Sequence, residues 1–67
     1  LMQNKITRIK VQPGEFREAY MALQKIVPIS KHTYSADPAD NLIRIEYADC
    51  PELESPEYML WKMRYCQ

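Results

Sequence analysis

Sixty-seven residues leave room for one domain at most. A chain this short buries only about 60% of the surface its unfolded form exposes, so a disulfide, a metal or a partner subunit is a common supplement. Nine Lys+Arg balance nine Asp+Glu, and there is one glycine. These exclude a global electrostatic pull toward nucleic acid or an anionic membrane, and a glycine-rich phosphate loop.

At the start, Leu1 ahead of Met2 reads as a foreign residue before the natural start, and residues 1–3 are expected to be disordered or not native. Asn4 to Gln12 alternates as a strand, with Thr7, Ile9 and Val11 on one face and Arg8, Lys10 and Gln12 on the other. Ile6 is out of phase. Pro13-Gly14 turns the chain into a helix read over Pro13 to Val27. Its apolar stripe is Phe16, Ala19, Tyr20, Leu23, Ile26 and Val27 at three- and four-residue spacing. Pro28 ends it.

Lys31 to Ser35 carries a weak strand signal, and Ala36 to Asn41 reads as a hairpin loop on its Asp, Pro and Asn residues. Leu42 to Ala48 is the clearest strand, with Ile43, Ile45 and Tyr47 on one face and Arg44 and Glu46 on the other. Asp49 to Glu57 is an acidic linker holding Pro51 and Pro56. For Tyr58 to Gln67 the spacing predicts a helix, opened by Ser55 as cap and Pro56 at the first position. Met59, Leu60 and Met63 would form one stripe of it, and Tyr58, Trp61 and Tyr65 the neighbouring one. Strict alternation of Met59, Trp61, Met63 and Tyr65 keeps a strand as the alternative. The expected fold is therefore a small single-domain α+β unit over 1–67. About three antiparallel strands carry one main helix, in the order β-α-β-β-α, or β-α-β-β-β if the tail is a strand.

Charge is uneven along the chain. Up to Lys31 there are six basic residues and two acidic ones; from Asp37 to Glu57 there are seven acidic residues and only Arg44 basic. The segment holding Asp49, Glu52, Glu54 and Glu57 is expected to steer a protein with a basic surface. Tyr58, Trp61 and Tyr65 are expected to supply buried contact with it, since aromatic residues and Met are enriched at interface centres, although core packing is the stronger reading for Trp61. The function expected is a non-enzymatic protein-binding module, such as a small inhibitor or adaptor of the kind encoded by phages or mobile elements, in the cytoplasm and away from membranes. A homodimer paired through an exposed strand edge is a further expectation.

The alternative is a nucleic-acid-binding or small ribonuclease-like domain using Arg8, Lys10, Lys31, His32 and Arg44, with His32 as base. It lacks a second placed acid/base group, and its aromatics fall on core positions. Cys50 and Cys66 lie in no CxxC and in no Cys/His cluster along the sequence, so no metal, cofactor or catalytic set is expected. Asp49, Glu52 and Glu54 should suppress the reactivity of the Cys50 thiol.

Overall fold

The computed structural model describes residues 4–67, so the expectation about residues 1–3 lies outside the described residues. The chain runs β1 (Lys5–Lys10), α1 (Phe16–Ile26), β2 (Thr33–Asp37), β3 (Leu42–Tyr47) and α2 (Pro56–Tyr65), the β-α-β-β-α order, and the tail is a helix. Short 3₁₀ turns at Pro38–Asp40 and Pro51–Glu54 flank β3. β3 lies in the middle of an antiparallel sheet of order β1-β3-β2.

Strand phase follows the sequence pattern. Ile9 faces Ile43 across the β1–β3 ladder, and Tyr34 faces Ile45 across β2–β3. Ile9, Ile43 and Ile45 are buried, as is Val11 just beyond β1. Side chains alternate between faces, so Ile6, Arg8, Lys10 and Arg44 share the other face. There Arg8 and Arg44 are direct cross-strand neighbours. The β2–β3 hairpin is tighter than the sequence implies, because Ala36 and Asp37 stay in the ladder. The reversal is made by Pro38–Asp40 with Asn41 left-handed at φ 55°, a conformation Asn tolerates.

α1 starts at Phe16, where the apolar stripe begins, three residues inside the stretch read from Pro13. Pro13 and Gly14 are occupied by a turn closed by Glu15 N–H donating to Gln12 O at 3.2 Å. Gly14 has φ 85°, and proline followed by a positive-φ glycine is the type II arrangement. The stripe of α1 faces inward: Ala19, Leu23 and the following Val27 are fully buried, with Phe16, Tyr20 and Ile26 packed around them.

α2 is capped as expected, by Ser55 Oγ accepting from Tyr58 N–H at 3.2 Å, with Pro56 in its first turn. It docks on α1 through Trp61, whose indole N–H donates to Ala19 O at 2.9 Å. Past α2, Cys66 bridges Val11, and Gln12 N–H donates to Tyr65 O at 2.9 Å, so the tail seals the end of β1. Among the described residues, no helix is long and apolar enough to cross a membrane.

Candidate functional site

Two places emerge from this framework, the outer face of α2 and a junction where both hairpin ends meet the Pro51–Glu54 turn.

Seven of the ten positions of α2 are apolar or aromatic, more than one stripe of a helix can bury. Tyr58, Trp61 and Tyr65 take the inner side. Tyr58 and Trp61 stack at 5.9 Å between ring centroids and are buried, and Tyr65 is half-buried with its hydroxyl 3.5 Å from Glu18. Both rings therefore belong to the core in this fold, the stronger reading for Trp61, and only Tyr65 of the three expected contact residues keeps part of its ring exposed. Large rings remove more apolar area from water than Met or Leu, and the indole N–H finds a carbonyl only on the inside. What α2 exposes is the other stripe: Met59 is 52%, Leu60 65% and Met63 80% exposed. Glu57 shares this helix and is exposed, as are Asp49 and Glu54 before it. None of the three forms an ion pair with another described residue. Both cations of α2 are engaged, Arg64 with Glu15 at 3.0 Å and Glu18 at 3.8 Å, and Lys62 above the Tyr58 ring at 5.5 Å.

At the junction, sheet register decides what meets. Thr33 pairs with Glu46, so one step further His32 stands across from Tyr47, and their rings meet edge to face at 6.3 Å. His32 also shares the inward face of Tyr34 by alternation. Its side chain is only 6% exposed, and its Nε2 is buried with no hydrogen-bond partner among the described residues. Beyond Tyr47 the chain bends back and brings Cys50 and Glu52 against it. The Cys50 thiol donates to Glu52 Oε1 at 3.4 Å, and the same oxygen is 3.8 Å from His32 Nε2. Donor atoms of all three residues lie within 4.8 Å of one another. Burial pushes the Cys50 thiol up, helped by the hydrogen bond to Glu52. The carboxyl of Glu52 is held below its ordinary value by its own backbone N–H, then by that thiol.

Sequence reading found no Cys/His cluster because the cluster is not local. The one available signal was the alternation His32-Thr33-Tyr34, which puts the imidazole on the core side if β2 is a strand. The same geometry separates Glu52 from Asp49, Glu54 and Glu57, since Glu52 turns toward the histidine. Beside the junction, a cleft of about 210 Å³ is lined by Lys5, Tyr47, Asp49, Cys50, Leu53 and Glu54.

Of the residues proposed for nucleic acid, Arg8, Lys10 and Arg44 do share one sheet face, and Lys31 is exposed at the bend before His32. The His32 ring is turned to the opposite face and buried, so the base that a ribonuclease would need does not face those cations. No aromatic ring lies on their face of the three strands. Set against protein-family models, curated proteins and solved structures, the chain matches none.

Proposed function

We propose that this domain is a non-enzymatic protein-binding module that engages its partner through the outer face of α2. The observation that carries the reading is the exposure of Met59, Leu60 and Met63 side by side on a helix whose other stripe already supplies the core. Full burial of a Leu or Met side chain is worth about 1.5–3 kcal/mol, so docking this face recovers apolar area the fold leaves in water. Met adapts to irregular partner surfaces. Glu57, with Asp49 and Glu54 on the approach to the helix, complements a partner whose apolar groove has a basic rim. That charge also disfavours a second copy of the chain on the same face, because a self-complementary interface would bring these carboxylates toward each other.

Affinity capture from the native cell with wild type, Leu60→Glu, and the Glu54→Lys/Glu57→Lys pair tests this reading, each variant first checked for its fold by circular dichroism. The expected result is a protein retained by wild type, lost with Leu60→Glu, and captured more slowly and with altered salt dependence by the lysine pair. Equal capture by all three would remove α2 from the interface. Leu60-dependent self-association in sedimentation would replace the basic partner with a homodimer.

A further inference from the structure

We propose that His32, Cys50 and Glu52 form a binding site for a Zn²⁺ ion, which would clip the bend before β2 to the turn after β3. The geometry points there on two independent observations. Three side chains of the types that ligate zinc, an imidazole, a thiol and a carboxylate, bring donor atoms within 4.8 Å of one another. Separately, the His32 imidazole is 94% buried (6% exposed) with Nε2 left without a hydrogen-bond partner among the described residues, and buried polar groups without such partners are rare enough to call for an ion or a water.

Two of the three donor separations are at or near tetrahedral values and the third lies within 4.8 Å, so the donors draw together on binding. Zinc bond lengths of about 2.0–2.3 Å in a tetrahedral site set neighbouring donors about 3.3–3.6 Å apart. Here Cys50 Sγ to Glu52 Oε1 is 3.4 Å and His32 Nε2 to Glu52 Oε1 is 3.8 Å. Binding replaces a proton: the Cys50 S–H bond is lost, the proton goes to solvent, and thiolate plus carboxylate neutralise the two charges of the metal. Three protein ligands leave a fourth tetrahedral position for water or for a donor from another molecule. The thiolate selects zinc over the hard cations Mg²⁺ and Ca²⁺, which take oxygen ligands.

Cobalt(II) added to the reduced protein is the probe. One equivalent should give the visible ligand-field bands of a tetrahedral site and a thiolate-to-cobalt charge-transfer band, and Zn²⁺ should displace both. Zinc should also raise Tm by about 20 °C once free metal exceeds its Kd about 100-fold. Changing a ligand should cost more than the 10–100-fold typical of residues behind the ligands, so His32→Gln and Glu52→Gln should each weaken Co²⁺ binding by more than about 100-fold. Cys50→Ser should remove the charge-transfer band and Cys66→Ser should leave it. Cys50 is a core residue, so should Cys50→Ser fail to fold, the Glu52 variant carries the comparison, its carboxylate being on the solvent side of the cluster. Absence of both the cobalt bands and the zinc-induced Tm shift in wild type would overturn the site. So would bands that follow Cys66 instead of Cys50.

Discussion

The two helices solve the same problem with different material. α1 separates its residues more cleanly: Ala19 and Leu23 face in, Arg17, Glu18 and Lys25 face water, and Met21 is the large apolar side chain it leaves outside, at 55% exposure. α2 has two hydrophobic stripes and one core to serve. The aromatic stripe goes inward, and the Met59-Leu60-Met63 stripe is left outside. The difference teaches that the inner side of α2 belongs to folding, whereas its outer side leaves Met59, Leu60 and Met63 in water, which is what the proposed partner contact would cover.

The largest expected effect is on the inner side. Trp61→Ala should cost about 3–5 kcal/mol, comparable with the whole stability of a domain this size, and denaturant unfolding followed by circular dichroism would measure it. A loss under 1 kcal/mol would break the assignment of this ring to the core. Next comes alkaline sensitivity. Burial first, then the Cys66, Tyr47 and Cys50 side chains, push the Tyr58 hydroxyl from 10.0 up to about 12, and Tyr34 is raised as well by burial. A group that keeps its proton longer in the folded state supports folding fully below its unfolded pKa. Stability should hold up to about pH 9 and decline from pH 10 toward 12, with a shallower decline in Tyr58→Phe. A pH titration of the unfolding midpoint checks the sign.

Loss of the cap should be smaller. Ser55→Ala removes the acceptor for Tyr58 N–H and should cost about 1 kcal/mol, read from the same unfolding curves. The smallest effect belongs to the outer stripe. Leu60→Lys should change stability by no more than about 0.5 kcal/mol, as exposed helix positions do, while abolishing partner capture. A large stability loss there would show that Leu60 serves the fold, and the contrast between the helices would disappear.

Much of this fold was legible because its signals are local. Alternation in β1 and β3, the 3.6-residue stripe of α1, and the Ser55-Pro56 helix opening each depend on neighbours a few residues away. β2 was faint because its side chains are mostly exposed, leaving little apolar alternation to read. The candidate sites were less legible. The bulky tail shows its wealth of large side chains in the sequence, and core packing was already the stronger reading for Trp61, but nothing local tells that Tyr58 joins it inside while Met59, Leu60 and Met63 stay out. The acidic segment was read as one surface, yet Glu52 belongs with His32 and Cys50.

By itself the sequence determined the order of the first four elements and the phase of β1, β3 and α1, since backbone hydrogen bonding and apolar periodicity act over short stretches, while it left the tail open between helix and strand. Only the tertiary structure decided which stripe of α2 is covered and that His32 meets Cys50 and Glu52. The first is a competition for one limited core, won by the side chains with more area to bury and an N–H to satisfy. The second is set by pairing register between β2 and β3, which brings together residues the chain itself keeps apart.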